Sequence, residues 1–417
     1  MKRTFALLTV IAMALGVMAT AKDASAVPAF ARQTGNACNA CHFQFFPKLS
    51  AMGRAFKLGG LTDASVDLIG KEDEGLSIPA NLPLSFIFKL RYLQDTKTKA
   101  GNPKAGNERG SWQIPDEATL YLGGRAASNV GYSLEYAASG WAKASLLIGL
   151  PVGGDMKAGI YVNGTDGHGP FNGFDLFNTA SIRAIRGFEN RSAAYAWQKT
   201  GFGHEATGLG VYVGSEMWYA NVGLWGPADF WSGTVIDTGF DLAMLYRVAF
   251  TPSVGGFDLM IGVAGSSGSV KCVDCGEGEE VTVTDSSGKT TTTTKKKLHE
   301  MKIGFMGVDL QAQGEVAGMS LEVQASMVNT EKDKAFPAKE QAATNVIAFL
   351  GVTPAAGVKA GIMNYDDKKA KKKTDATNLG VWYNLAQNLT LSVDYSIFGG
   401  DGRSNDNQMI LMLFGGF

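Results

Sequence analysis

Hydrophobic and polar residues alternate with a period of two over most of the chain, starting at about residue 81. The clearest stretches are 82–93, 240–250 and 319–327, where one face is apolar and the other carries charged or polar side chains. This is the pattern of β-strands whose two sides meet different surroundings. We therefore predict an all-β fold for residues 76–417.

Three further properties of these stretches favour a membrane barrel over a soluble β-sandwich, in which strands also alternate. The stretches run to about ten residues, the length of a tilted strand that crosses a bilayer. Long polar connections alternate with short ones, as extracellular loops alternate with periplasmic turns. Residues 408–417 form a last strand-like run that ends in Phe417, although Gly415 stands where a bulky residue is usual. We predict a large transmembrane antiparallel β-barrel in the outer membrane.

The connections set the expected number of strands. Short turns are predicted near residues 126–130, 150–156, 187–191, 214–216, 250–255, 313–317, 352–356 and 385–389. Nine hairpins would give 18 strands, whereas loss of the weaker segments at 143–149 and 179–187 would leave 16. We expect an even number from 16 to 18. A barrel of this size encloses a water-filled lumen unless something fills it.

The N-terminus has the pattern of an export signal. Lys2 and Arg3 precede an apolar run over 5–20, and the small residues at 24–26 suit signal peptidase. An uncleaved membrane anchor is the alternative, but the apolar run is short and a cleavage pattern follows it directly. We therefore expect residues 1–26 to be a signal peptide and the mature protein to reach the periplasmic side, where c-type haem is attached.

The most specific chemical signal is Cys38-Asn39-Ala40-Cys41-His42. At this spacing two thiols can bond the vinyl groups of a porphyrin while the adjacent imidazole reaches the iron. The alternatives are a redox disulfide with an incidental histidine and one half of a zinc site. We predict one covalent haem c, bound through Cys38 and Cys41, with His42 as an axial ligand.

The residues around this motif predict a small, mainly α-helical haem module over 27–75. A helical pattern follows Pro47 and stops at the glycine pair 59–60. The aromatic residues Phe43, Phe45 and Phe46 could form an apolar wall beside the haem. Since the module is small and arrives at the periplasmic mouth, we expect it to plug or cap the periplasmic side of the barrel.

The sequence alone does not identify the second axial ligand of the haem iron. Met52 is the only methionine between residues 27 and 75, and a thioether ligand would raise the redox potential. Met52 could equally serve as core packing or as a contact to the haem edge. His168, His204 or His299 could also supply the ligand from elsewhere in the chain.

The largest predicted loop, 266–298, contains a second Cys-x-x-Cys pair, Cys272 and Cys275, without a following histidine. We expect a local disulfide there rather than a second haem. Metal capture by the thiolates and nearby carboxylates is the alternative. Those carboxylates belong to Glu277, Glu279 and Glu280. A basic run at 368–373 is expected at the surface, facing the phosphates of outer-membrane lipid or lipopolysaccharide.

Composition narrows the function classes. The 417 residues are 45% hydrophobic and include 53 Gly but only 12 Pro, which does not suggest disorder. The formal net charge is -1, which excludes a nucleic-acid-binding protein. No segment after residue 26 has the apolar length of a membrane helix.

The N-terminal motifs resemble those of the fused monohaem cytochrome-porins of bacterial outer membranes, whose best-known members are iron(II) oxidases. The likeness lies in residues 28–35, the haem motif, 46–49 and 53–58, and covers about 35 residues. Over the barrel it is architectural only. The resemblance implies an iron(II):cytochrome c oxidoreductase, in which extracellular iron(II) gives an electron to the haem and a periplasmic cytochrome receives it.

Two other functions use the same parts. The chain could be a diffusion porin with a haem-containing plug, in which the inward-facing Lys89, Arg91 and Arg247 would set ion selectivity. It could also export electrons to extracellular acceptors, because the direction of flow depends on the potentials of the partners. An open, conducting lumen would favour the porin, and reduction of the haem by external iron(II) would favour the oxidase.

Overall fold

The computed structural model describes residues 29–64, 68–69, 78–79, 83–96, 110–137, 140–176, 186–202, 205–227, 241–273, 279–284, 286–287, 290–295, 298–331, 340–403 and 406–416. The proposed signal peptide, residues 1–26, lies outside this part of the chain. None of the helices within it has the length and apolar character needed to cross a bilayer.

Sixteen long strands of the described residues form a closed barrel. They are β1 (Leu84–Asp95), β2 (Ser111–Ala127), β3 (Val130–Ala137), β4 (Gly140–Leu150), β5 (Lys157–Thr165), β6 (Ala206–Gly214), β7 (Trp218–Gly226), β8 (Ala243–Phe250), β9 (Phe257–Val273), β10 (Leu298–Val316), β11 (Met319–Thr330), β12 (Gln341–Gly351), β13 (Ala356–Asp367), β14 (Lys372–Ala386), β15 (Leu389–Gly399) and β16 (Gln408–Gly416). A two-residue strand, Ser253–Val254, extends the hairpin between β8 and β9.

All barrel pairings are antiparallel, and each strand pairs with its neighbours in sequence. The barrel closes where β16 pairs with β1, with Met412 opposite Arg91. The prediction of an antiparallel barrel with 16 to 18 strands is confirmed at sixteen. Closure leaves no strand edge in the hydrocarbon layer, where an unpaired backbone amide would cost several kcal/mol.

Seven of the eight predicted short turns join consecutive barrel strands. The prediction of a turn at 187–191 is wrong, because this stretch belongs to residues 186–202, which fold into the lumen. The predicted weak strand 143–149 lies in β4, and the other, 179–187, lies mostly outside the described residues. The described residues of the connection between β5 and β6 contribute no barrel strand, and sixteen long strands close the barrel.

The predicted 266–298 loop is shorter than expected. Strand β9 continues to Val273 and β10 starts at Leu298, so that Cys272 pairs with His299 across the sheet. A small hairpin follows within the loop, formed by Glu279–Thr284 and Thr290–Lys295. Cys275 and the side chain of Cys272 lie outside the described part of the structure, so the disulfide there stays a prediction.

The two faces of the wall are inverted relative to a soluble protein. Apolar side chains point outward and are exposed, as at Val211, Val222 and Ile261. Polar side chains point inward and are buried, as at Arg247 and Glu322. An apolar exterior with a polar lumen is the arrangement of transmembrane barrels, since lipid covers the outer face.

The N-terminal residues 29–64 fold as three short helices inside the barrel. These are α1 (Ala29–Thr34), α2 (Cys38–Cys41) and α3 (Ala51–Leu58). The Nε2 of Gln44 donates hydrogen bonds of 3.1 Å to the carbonyls of Ser320 and Phe349, beside the short turns that face the periplasm in such barrels. The helices therefore lie in the half of the lumen next to the short turns.

The connection between β5 and β6 fills a second layer of the lumen. It contains a 3₁₀ turn (Pro170–Asn172) and the helices α4 (Arg191–Ala194) and α5 (Ala196–Lys199). We call residues 186–202 the inward segment. The amide of Ala196 donates to Asn345 Oδ1 at 2.8 Å, and Trp197 is fully buried against Phe171 and Phe305.

Candidate functional site

Cys38, Cys41 and His42 line one cavity of roughly 250 Å³ inside the barrel, which we call the motif cavity. Its lining comes from three sources: helices α1 to α3, the inner faces of strands β1 to β4 and β16, and the connection after β5. Most of the exposed lining is apolar, as expected for a pocket that receives a large organic group. The apolar lining includes Phe30, Phe46, Pro47, Leu49, Phe56, Leu61, Ile87, Leu147 and Phe414.

Helix α2 sets the geometry of the motif. Cys38 and Cys41 are three residues apart in one helical turn, which places both on the same side of the helix. His42 leaves the helix with an extended backbone, and its ring Nδ1 lies 3.2 Å from the carbonyl oxygen of Lys48. The two thiols are not bonded to each other. This arrangement presents two thiols and a fixed imidazole to one space.

Burial shifts the pKa of each member of the motif. It raises the pKa of both thiols, and for Cys41 the neighbouring Cys38 and Asp63 raise it further. Burial lowers the pKa of His42 to about 4, although hydrogen bonds to the carbonyls of Lys48 and Pro47 oppose the shift. The imidazole is therefore neutral at pH 7, the form that binds a metal ion.

Close packing of α3 on α2 holds the motif in place. The Ser50 hydroxyl donates to the Ala40 carbonyl at 2.8 Å, and the Ser50 amide donates to the Cys41 carbonyl at 2.9 Å. Gly53 lies against the same carbonyl, since a Cβ built at this position would be 2.2 Å from Cys41 O. Only glycine leaves room for this approach.

The residues present fit a c-type haem. An apolar cavity suits the faces of a macrocycle, and the two carboxylates of a haem need cationic or hydrogen-bonding partners when they leave water. Three cations line the same cavity: Lys57, Lys143 and Arg186. Lys57 donates to the Asp175 carbonyl at 2.6 Å, and burial lowers its pKa to about 8.

The other predicted ligands lie in different places. Met52 is 45% exposed and does not line the motif cavity, whereas His168 does. His204 and the side chain of His299 lie outside the described part of the chain. The structure thus brings His168 to Cys38, Cys41 and His42, and places Met52 elsewhere.

The three aromatic residues after His42 do not act together. Phe46 lines the motif cavity and packs edge-on against His42, with ring centroids 4.9 Å apart. Phe45 turns away and packs against Phe349 and Trp382 in the wall of the barrel. Phe43 does not line the cavity either.

A second cavity, of about 590 Å³, adjoins the first and is lined mainly by charged and polar residues. We call it the polar cavity, and it shares Glu135, His168 and Arg186 with the motif cavity. Its other charged lining residues are Lys89, Arg91, Asp116, Glu117, Asp166, Glu189 and Arg191. They come from β1 and β2 and from the connection between β5 and β6, segments that no local sequence motif connects.

The charges in the polar cavity form a network. Lys89 and Arg91 each contact Glu189 Oε1, at 2.7 and 2.8 Å, and Arg186 makes a two-pronged contact with Glu117 at 2.6 and 2.7 Å. The expectation that Lys89, Arg91 and Arg247 face inward is confirmed. Arg247 does not line the polar cavity, because it is fully buried between Asp175 and Asp309.

No cluster of three or more His, Cys, Asp or Glu side chains able to hold a metal ion occurs within the described residues. Glu277 and the side chains of Glu279 and Glu280 fall outside them. Metal attraction by these loop carboxylates therefore remains a sequence-based prediction.

Comparison with solved protein structures identifies the fold of this chain. No protein-family model and no curated protein matches the sequence. The solved structure of Pseudomonas putida OprB is 13% identical, with a TM-score of 0.53 over 83% of this chain and 95% of that one. A loop-deletion mutant of OmpT, an outer membrane protein of Vibrio cholerae, is 12% identical, with a TM-score of 0.45 over 80% of this chain and 99% of that one. Acinetobacter baumannii OccAB1 is 9% identical, with a TM-score of 0.43 over 80% and 96%. The likeness to OprB establishes that this chain has the fold of a porin-like β-barrel.

Proposed function

We propose that this protein transfers electrons across the outer membrane through one haem c in its lumen, as an iron(II):cytochrome c oxidoreductase. The observation that carries the proposal is the convergence of Cys38, Cys41 and His42 on one mainly apolar cavity within a closed barrel. Extracellular iron(II) as the donor and a periplasmic cytochrome as the acceptor rest on the family resemblance of residues 28–58.

The barrel solves a physical problem for such a reaction. An electron has to cross an insulating layer, while iron that entered the cell would precipitate there as oxide. A redox centre inside the lumen lets the electron pass while the metal ion stays outside. Iron(II) would lose one electron to become iron(III), and the periplasmic cytochrome would gain that electron.

Each residue of the site has a distinct part in the proposal. When bound, the haem supplies a centre that accepts and donates one electron. Cys38 and Cys41 hold the macrocycle through thioether bonds, and His42 holds the iron. Lys57, Lys143 and Arg186 provide positive charge for the haem carboxylates. Phe46 and Phe414 keep water from one side of the cavity, which affects the potential.

Haem attachment is tested with the purified protein. We expect a c-type absorption band that survives denaturation and is lost in Cys38→Ser/Cys41→Ser. Cys272→Ser, in the second cysteine pair, is the matched control and should keep the band. A normal band in the double variant would contradict covalent attachment at this motif.

Electron transfer is tested in liposomes that carry the oxidised protein with its long loops outward. Iron(II) is added outside at a pH where its reaction with oxygen is slow, and the haem band is followed. We expect the haem to be reduced faster than a periplasmic acceptor turns over, and His42→Ala to abolish this reduction. If the haem stays oxidised, iron(II) is not the donor.

The polar cavity favours a second candidate, a solute-diffusion porin with a haem-containing plug. Its charged lining, including Lys89, Arg91 and Glu189, would select ions by charge. Steady ionic conductance through the same liposomes, together with a haem that external iron(II) does not reduce, would support this candidate. Release of electrons from the reduced protein to an external acceptor would instead indicate an exporter.

A further inference from the structure

The motif cavity has a second imidazole in its wall, that of His168. His168 follows β5, and its backbone amide donates to the Thr165 hydroxyl at 3.1 Å. The Gly167 amide donates to the same hydroxyl at 3.2 Å, and Thr165 is fully buried. Two hydrogen bonds to a buried side chain fix the backbone at this point, so the position of His168 is set by the barrel and not by the N-terminal helices.

The ring of His168 has the same kind of partner at Nδ1 as the ring of His42. Its Nδ1 lies 3.1 Å from Asn172 Oδ1, on the 3₁₀ turn that follows. The Nδ1 of His42 lies 3.2 Å from the Lys48 carbonyl. A metal-binding histidine usually donates its other ring N–H to an oxygen, which fixes the tautomer and the direction of the ligating nitrogen. Both rings have an oxygen partner at Nδ1, so each would bind iron through Nε2.

The other side chains able to bind haem iron are poorer candidates. No methionine lines the described part of the motif cavity, and Met52 is exposed. An imidazole is among the common axial ligands of haem.

We infer that His168 is the second axial ligand of the haem iron, with Asn172 as its positioning residue. This inference rests on the proposed function, because it requires the haem that Cys38, Cys41 and His42 would hold. The iron would then bind two imidazoles, one from the N-terminal module and one from the barrel. The midpoint potential is expected to be lower than with a methionine ligand, since thioether ligation raises it.

The first test uses the ferric full-length protein without any substitution. Near-infrared magnetic circular dichroism and electron paramagnetic resonance distinguish two nitrogen ligands from one nitrogen and one sulfur. We expect the two-nitrogen signature. A nitrogen–sulfur signature would overturn the inference, whatever the variants below do.

Variants identify the second nitrogen. His168→Ala should change the ferric haem from low-spin to high-spin, and added imidazole should restore the low-spin spectrum. His168→Met should introduce the long-wavelength charge-transfer band of a sulfur ligand and raise the midpoint potential. Asn172→Ala should keep the haem but broaden the low-spin resonance signal, because the ring loses its orienting contact. Met52→Leu is the control and should change none of these properties.

The outcomes separate this inference from the proposed function. If wild-type protein carries no covalent haem, the proposed function fails and the ligand assignment fails with it. If it carries haem and His168→Ala keeps the wild-type low-spin spectrum, only the ligand assignment fails. Loss of the low-spin spectrum in Met52→Leu would also overturn it. The spectra do not depend on the electron donor, so an absence of iron(II) oxidation leaves this test intact.

Discussion

Lys48 connects the N-terminal segment to the barrel wall through a fully buried ion pair. Its side chain is 0% exposed, as is that of Glu322, and the Nζ atom lies 2.5 Å from Glu322 Oε2. Gln44 Oε1 accepts a second hydrogen bond from Nζ at 2.7 Å, and the Phe349 ring centroid is 3.9 Å away. Both charges are removed from water, so each needs the other as its ion-pair partner to remain stable in the interior.

We expect Lys48→Met to lower the free energy of unfolding by about 3–5 kcal/mol, because it leaves the Glu322 carboxylate buried without its ion-pair partner. The measurement is urea unfolding in detergent micelles. Lys48→Met/Glu322→Gln should recover most of the loss, since neither residue is then charged.

Lys368→Met is the matched control, because its ion pair with Glu340 is 49% and 32% exposed. Exposed pairs contribute about 1 kcal/mol at most. Equal losses of stability in Lys48→Met and Lys368→Met would show that burial does not increase the contribution of the Lys48 ion pair.

At the scale of elements, two packing arrangements position the chemistry. Helix α3 lies directly on the Cys-x-x-Cys helix α2 at Gly53, and the inward segment is fixed by an ion network at Glu189. Both arrangements involve elements too short to be stable alone, so contacts with the rest of the molecule hold them.

Gly53→Ala should displace α3 from α2, because the new methyl group would meet the Cys41 carbonyl. Overpacking of this kind costs about 1–3 kcal/mol. We expect less covalent haem per mole of protein, measured by its absorption band. Gly59→Ala is the control, since a Cβ there would be 3.5 Å from its nearest neighbours and should leave the haem content unchanged. Equal haem loss in both variants would argue against the close contact at Gly53.

Glu189 makes the inward segment sensitive to acid. Burial raises its pKa, but Arg191, Lys89 and Arg186 outweigh that effect and lower the pKa to about 2, below the ordinary value of 4.5. The ion network therefore contributes fully above about pH 4.5, and the contribution is lost as the pH falls through about 2.

Glu189→Gln should therefore be less stable than wild type at pH 5, by on the order of 3 kcal/mol, and nearly equal to it at pH 2. Urea unfolding of both proteins between pH 2 and 5 measures the difference in stability. Other titrating groups are present in both proteins, so their contributions cancel in this difference. A constant difference over this range would mean that the carboxylate does not titrate there.

At the scale of the whole molecule, the hydrogen bonds between the barrel strands do not depend on the segments that fill the lumen. The sixteen strands satisfy one another's backbone groups around a closed ring without any residue of the N-terminal helices. Unpaired backbone groups are costly in lipid, so the ladder is expected to form whether or not the cavity inside it is filled.

We expect Cys38→Ser/Cys41→Ser to insert as a folded barrel even though it lacks haem. Its heat-dependent shift in gel migration and its fractionation with the outer membrane should match those of the wild type. Failure of the variant to form a heat-modifiable band would show that haem attachment is needed for the barrel to fold.

Sequence predicted the wall of this molecule better than its interior. Strands such as β1 and β11 were predictable because one side meets lipid and the other meets the lumen, which produces alternation. The inward segment touches protein on many sides and has no such period, so its residues 187–191 were assigned to a hairpin turn. The polar cavity was missed because Glu117 and Glu189 lie 72 positions apart in the chain.

In the N-terminal site, too, some residues could be predicted from the sequence and others could not. The Cys-x-x-Cys-His spacing is local, so Cys38, Cys41 and His42 could be named from sequence. A ligand from another part of the chain is set by the topology of the barrel. Sequence could only offer His168 beside His204, His299 and Met52 as alternatives, and nothing in its neighbouring residues distinguished it.

The seam between β16 and β1 sets an order of events in biogenesis. Phe414 of β16 stacks on Phe46 of the N-terminal helices, with ring centroids 5.5 Å apart, so the last strand of the chain covers the motif cavity as it pairs with the first. One side of the motif cavity is therefore missing until the barrel closes, so the cavity would take up the bulky macrocycle most readily before that step. Pulse-labelled chains should accordingly acquire haem before they become heat-modifiable.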